Sequence, residues 1–400
     1  MRLFKNLQRR FQSEGICRSR GLFSRRPGLF YIVFIFSAAA LFAAVYCNPA
    51  LAASKYYVVE RAEGSLGVIS HNVLKGQIRH IGNGTHIIVY FGKHYGYAIS
   101  RNGYLSKIDP VTGKIILQKK VSLDTVDFCL SKNLIAVADY EPENVVILNK
   151  KLKVLKIINT GSRNIGVEFY KHYLILELMD KDEIWVVNLN NFKVIKKINH
   201  IGRFPIDALV SDNDYIAAFL IGQKFGVLNL KTLKYHIVNY GKTGGFPHQI
   251  PHYGIYSVYN DSAYIPAVGE KKIVVVNLKT EKETNSLKLI GYPIFVIFSP
   301  NRKIIAVNYS GFAHDYLTLI DTKDLKVIKN IKAGKRIMFM AFSGNSGLIY
   351  ASDYFGNSVN VFNVHSGKEV AVIPVQSPSG IFIVPDKLNK SKVKINAGGN

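Results

Sequence analysis

The stretch NVVILNKKLKVLKIIN, residues 144–159, decides the fold. An aliphatic segment ends at Asn149, a polar turn NKKLK follows, and a second apolar segment runs back, as in two antiparallel strands joined by a tight reversal. On either side the same pattern returns. LGVIS ends at Ser70, LSKID at Asp109, IWVVN at Asn188, FGVLN at Asn229, IVVVN at Asn277, LTLID at Asp321 and VNVFN at Asn363. The spacings are 39, 40, 39, 41, 48, 44 and 42 residues, and the turns DPVTGK, NLNNFK, NLKTLK, NLKTEK, DTKDLK and NVHSGK are alike. No long helical periodicity competes with this pattern. Repeats of about 42 residues with several short strands each are the signature of a β-propeller. The sequence therefore predicts an all-β, eight-bladed β-propeller over residues 53–400, as one domain. Strands around Tyr56–Glu60 and Gly380–Val384 are expected to share a blade and close the ring, because an open array leaves strand edges unpaired.

The first 52 residues read differently. Residues 1–26 carry eight basic groups and the single acid Glu14, and a 20-residue uncharged run, Gly28 to Cys47, comes next. Ala50-Leu51-Ala52 follows as a small-residue cleavage site. This is the layout of an export signal peptide, and the apolar run is also long enough to be a membrane anchor. Either way the basic side stays in the cytoplasm and the propeller is expected outside it, in the periplasm.

The chain has 52 Lys and Arg against 27 Asp and Glu, a formal charge of +25. Beyond residue 52 the balance is 44 against 26, or +18. Such a charge first suggests nucleic acid. Export, and lysines scattered over repeated hairpin turns, make nucleic acid the least expected partner. Three cysteines exclude a disulfide scaffold and a four-cysteine zinc site. Cys129, the one beyond the leader, sits between Phe128 and Leu130 as a small buried hydrophobe. A single tryptophan, Trp185, speaks against a quinone-dependent dehydrogenase propeller. No Ser-His-Asp order, phosphate-binding loop or HExxH motif is present.

Propellers bind ligands where loops from all blades converge on the axis. His86 stands in GNGTHII (82–88), where a glycine-rich loop runs into an apolar strand. A neutral imidazole there suits a metal or the iron of a porphyrin, though a structural His fits as well. Only seven arginines follow the leader, at 61, 79, 101, 163, 203, 302 and 336, against some thirty-seven lysines. Arginine among so many lysines suggests planar, bidentate contact with a carboxylate. Arg101 and Arg203 sit in inter-strand loops; blade-to-blade ion pairs are the plainer use for them. Asp180, in LMDKDEIWVV, could move a proton or merely form an Asx-turn. His252, in HQIPHYG, lies in the longest insertion between repeats.

The stretches GTHIIVY and GYAISRNGYLSKIDPVTGK resemble the start of the d1-heme propeller of cd1-type nitrite reductases. IAVADYEPENVVILN, DKDEIWVVNL, GRFPIDALVSDNDYIAAFL, IPHYGIYSVYNDSAYIPAVGEKKIVVVN and SPSGIFIV are similar to the heme d1 biosynthesis members of that family, so the likeness spans residues 55–385. The resemblance implies an extracytoplasmic propeller holding an iron tetrapyrrole, a heme d1 precursor or dihydro-heme d1, non-covalently near its axis. His86 falls on the axial iron ligand, and Arg101 and Arg203 on carboxylate-binding positions. Asp180, or Asp182 if the match slips by two, falls on an essential acid; His252 is a distal acid or base, and His248 has no counterpart. A dry axial pocket is expected to raise the Asp180 pKa. The implied activity is redox-neutral remodelling of the tetrapyrrole towards dihydro-heme d1; a non-catalytic carrier is the alternative. Implied partners are cd1-type nitrite reductase and dihydro-heme d1 dehydrogenase. No Cys-x-x-Cys-His occurs, so the chain attaches no c-type heme and nitrite reduction is not expected of it.

Overall fold

In the computed structural model of the chain, residues 55–222, 224–240 and 257–389 are described. The export or anchor segment, His248 and His252 lie outside them. The described residues form thirty-two strands in eight four-stranded antiparallel sheets, the expected eight-bladed propeller. Numbering blades along the chain, blade 1 takes Lys55–Glu60, Ser65–Ser70 and Val73–Ile78 from the front and Pro378–Val384 from the back. Tyr56 pairs with Ile383, Tyr57 with Phe382 and Val58 with Ile381, which closes the ring as expected.

The recurring Asn or Asp ends the third strand of seven blades, or follows it directly, and the structure shows why that residue recurs. The Asn149 side chain accepts hydrogen bonds from the N–H groups of Lys151 (2.9 Å) and Lys153 (3.1 Å). Asp109, Asn188, Asn229, Asn277 and Asp321 make the same Asx-turn, and Asn363 accepts instead from the N–H of Ser366, three residues on. Just before the closing lysine the backbone turns left-handed. The residue there is Gly113 or Gly367 in two blades, and Leu152, Phe192, Leu233, Glu281 or Leu325 in five. A left-handed leucine costs about 1–2 kcal/mol. Burial of Leu152 and Leu325 beneath the turn offsets it.

The apolar core is not one mass. It divides into eight layers, one between each pair of neighbouring blades, and a small ninth cluster of Val126, Ile165 and Met179 under Tyr140 and Phe204. Both faces of each blade are covered, so the second and third strands read as continuous apolar runs while the fourth, on the rim, is largely exposed. Cys129 belongs to the layer between blades 3 and 4, and burial, then Glu168 and Asp127, push its thiol pKa up. It is the small hydrophobe expected.

Alternation of strand direction fixes what meets at each end of the ring. The start of every first, innermost strand lies at the same end as the turn joining its second and third strands. Arg61, His86, Arg101, Arg163, Asp180, Arg203 and Arg336 all fall at that end.

Candidate functional site at the loop end of the ring

Glycines place His86. Gly82 has φ of 131°, and a Cβ on it would lie 2.2 Å from Ser100 Oγ; a Cβ on Gly84 would lie 2.3 Å from the Arg61 carbonyl. The loop thus packs closer than any side chain permits. Asn102 Oδ1 accepts the Asn83 N–H at 2.8 Å, and Asn83 Oδ1 accepts that of Thr85 at 2.9 Å. His86 follows, half-buried at the start of the innermost strand of blade 2 (Ile87–Phe91), with Nε2 2.8 Å from the Val126 carbonyl of blade 3. A carbonyl only accepts, so Nε2 carries the proton and Nδ1 the lone pair. Burial pushes the His86 pKa down to about 4; the Val126 bond opposes this, and Arg101 and Arg61 reinforce it. The ring is neutral at any pH above about 5, the form that ligates metal.

Beside it stands a layered array. The Arg101 guanidinium donates to Asp124 Oδ2 at 2.8 Å, and its Nε contacts Oδ1 of the same carboxylate. Its carbon lies 5.1 Å from the centre of the Tyr140 ring. On that ring also lies Arg163, at 5.6 Å, and Arg163 is 5.4 Å from Phe204. Asp180 grips Arg163: its oxygens accept the backbone N–H at 2.9 Å and Nε at 3.0 Å, and Oδ1 also meets the terminal nitrogen. Two guanidinium groups therefore bracket one tyrosine, and each is neutralised by its own aspartate.

Asp180 departs from expectation. Burial acts to raise its pKa, but the hydrogen bonds and charge of Arg163 outweigh it, and the carboxyl is held below the usual range. It is an ionised partner and not a poised acid. Asp182 serves the backbone, accepting the Phe204 N–H at 2.7 Å.

The other side of the mouth carries arginines that form no ion pair among the described residues. Arg61 and Arg336 have no carboxylate partner among the described residues. Burial and then the charge of Arg61 push the Arg336 pKa down, so the two cations sense one another. Asp353 pins Arg336 by its backbone, accepting its N–H at 2.8 Å, while the guanidinium Nε donates to Met338 Sδ at 3.5 Å and meets no carboxylate among the described residues. Arg61, Tyr354 and Glu63 line a cavity of about 520 Å³ with Asn83 and Asn102, beside the His86 loop, and Glu63 makes no ion pair with Arg61. Arg203 is exposed at the start of the first strand of blade 5, likewise without an acid among the described residues. Phe295, Phe339 and Phe382, on the innermost strands of blades 7, 8 and 1, form an aromatic row with centres 5.0 and 6.4 Å apart.

Deeper, the innermost strands of blades 3, 4 and 5 carry Asp127, Glu168 and Asp207. Each keeps part of its surface exposed, yet lies deep among protein atoms. Burial first, and then their mutual repulsion, raise Asp127 well above the carboxylate range and Glu168 to about 7; burial alone lifts Asp207 to about 7.

The structure thus brings His86, Arg101 and Asp180 to one end and leaves Arg203 at its edge. Arg163, Asp124, Tyr140 and Arg336 escaped the sequence reading as site residues. The scarcity of arginine was the signal that could have found two of them.

The family model described as cytochrome D1 heme domain matches residues 53–387. Protein NirF of Pseudomonas aeruginosa is 26% identical over 352 residues, covering 81% of this chain and 90% of that protein. Protein NirF of Stutzerimonas stutzeri is 28% identical with the same coverage. A solved structure of dihydro-heme d1 dehydrogenase NirN in complex with DHE superposes with a TM-score of 0.70 at 19% identity, over 84% of this chain and 76% of that one.

Proposed function

The chain belongs to the cytochrome D1 heme domain family, and on that premise we propose that it binds a heme d1-type tetrapyrrole at the loop end of the ring and remodels its side chains without net oxidation or reduction, towards dihydro-heme d1. One observation carries the reading: a histidine held neutral, its N–H fixed on a backbone carbonyl, sits beside arginines that have no acid of their own. Metal-binding histidines are commonly fixed through the second ring nitrogen in this way. Two half-buried guanidinium groups that form no ion pair among the described residues fit a ligand that brings carboxylates.

The iron of the tetrapyrrole offers an acceptor for one axial donor. His86 supplies that donor. Arg61, Arg336 and Arg203 receive peripheral carboxylates, and Arg101, with Asp124 on one edge of its fork, offers the other terminal nitrogen. The Phe295–Phe339–Phe382 row gives the macrocycle an apolar wall. Opening a lactone with water would form a hydroxyl and a carboxylate and transfer no electrons, in keeping with the redox-neutral reading. The protein acts in the periplasm, after export on residues 1–52, and its product passes to dihydro-heme d1 dehydrogenase and then to cd1-type nitrite reductase.

The test is anaerobic incubation of the purified protein with the heme d1 precursor, followed by the mass of the tetrapyrrole. The expected result is a product of altered mass at unchanged iron oxidation state. A tetrapyrrole that binds and is recovered unchanged makes the protein a carrier.

A further inference from the structure

Asp180 and Arg163 form a closely bonded polar unit at the mouth, and nothing in the acid–base reading of Asp180 uses Arg163. The carboxylate holds Arg163 twice, at its backbone N–H (2.9 Å) and across its guanidinium (Nε to both oxygens at 3.0 Å). Asp180 is itself set in place, its N–H donating to Ser162 Oγ at 3.0 Å. Aromatic rings of two blades, Tyr140 and Phe204, flank the guanidinium. The Arg163 side chain keeps 28% of its surface exposed at this end of the ring. A guanidinium has five N–H donors in one plane, and the carboxylate engages only one edge of it.

We propose that Asp180 is a positioning residue whose task is to hold the Arg163 guanidinium in the plane between Tyr140 and Phe204, where its remaining donors bind a carboxylate of the ligand. Arg163 is then a ligand-binding residue, on the opposite side of His86 from Arg61 and Arg336, which form no ion pair among the described residues. The site grips the rim of the ligand from two sides, which fixes its rotation about the iron–histidine axis. This rests on the tetrapyrrole reading above. The charge state agrees: an aspartate held ionised against arginine has no proton to give at neutral pH.

The probes are ferric heme d1 and its methyl ester, in which the carboxylates are capped, titrated against wild type, D180N, D180E, R163Q and the D180N/R163Q double variant. D180N and R163Q are each expected to weaken binding of the acid form about tenfold, which is about 1.4 kcal/mol. The double variant should lose no more than either single change, because one contact is removed once. D180E should regain affinity to within about threefold, and the methyl ester should bind all five proteins alike. Thermal unfolding of each variant identifies any that has lost the fold, and D180E and R163Q then carry the comparison. Full affinity in D180N, or losses that add in the double variant, overturns the proposal while leaving tetrapyrrole binding intact. A wild type that binds neither probe overturns both readings.

Discussion

Gly82 shows how little of the site depends on side-chain chemistry alone. Its φ of 131° disfavours a side chain, an added Cβ would lie only 2.2 Å from Ser100 Oγ, and the loop it shapes delivers His86 to the mouth. Gly82→Ala should destabilise the protein by about 1–3 kcal/mol in denaturant unfolding. Unchanged stability would mean that the loop relaxes freely and does not fix the histidine. The placement of His86 was legible because GNGTH announces a glycine-shaped loop before an apolar strand, while its role as an iron ligand came from the family resemblance. The role of Asp180 was not: its partner lies 17 residues away, across a blade, and only the folded register brings Arg163 onto it. Loop position marked Asp180 as interesting and gave the wrong sign for its pKa, because a charge partner can outweigh burial.

Among the elements, the third-to-fourth-strand hairpin carried the information. Asn or Asp, a polar turn and a closing lysine mark an Asx-turn with one left-handed residue, and that local chemistry repeats often enough to count blades. The lysines carry a second role that the turn pattern hid. Lys55 donates to Pro110 O at 2.9 Å, Lys107 to Lys150 O at 3.3 Å, Lys196 to Leu233 O at 2.6 Å and Lys329 to Ser366 O at 2.7 Å. Each runs from one blade to a hairpin turn of the next. Part of the basic surplus therefore ties neighbouring blades together instead of merely wetting the rim. Closure depends on one element, the strand Pro378–Val384, which pairs with Lys55–Glu60 from the opposite end of the fold. Truncation after Val375 strips the innermost strand from blade 1 and exposes Tyr56 and Tyr57. The truncated protein should show no cooperative thermal transition and should aggregate in size-exclusion chromatography. A monomer with a wild-type transition would mean that the ring is stable open.

For the whole molecule, buried carboxyls decide the pH response. Glu168 and Asp207 titrate near 7 and Asp139 near 8 in the folded protein, all raised first by burial. Unfolded, they lose their protons near pH 4. Between about pH 4 and 7 the folded state binds more protons than the unfolded one, so stability is highest at the acidic end and falls as pH rises. His86, depressed to about 4, acts oppositely below its unfolded value near 6.5, but it is one group against these three and the likewise raised Asp127 and Glu177. The melting temperature should be higher at pH 5 than at pH 8, and Asp207→Asn should flatten the difference. A rise in stability towards pH 8 would show that these carboxyls are ionised in the fold. The net charge of +25 identified no partner; what bears on the ligand is which arginines lack an acid, and that is visible only in the assembled mouth. The central claim, that His86 takes the iron of a d1-type tetrapyrrole, is tested most directly by titrating the purified protein with ferric heme d1 and following its Soret band. A saturable shift in wild type that is lost in His86→Ala is the predicted result; no shift in wild type, or the same shift in His86→Ala, would contradict it.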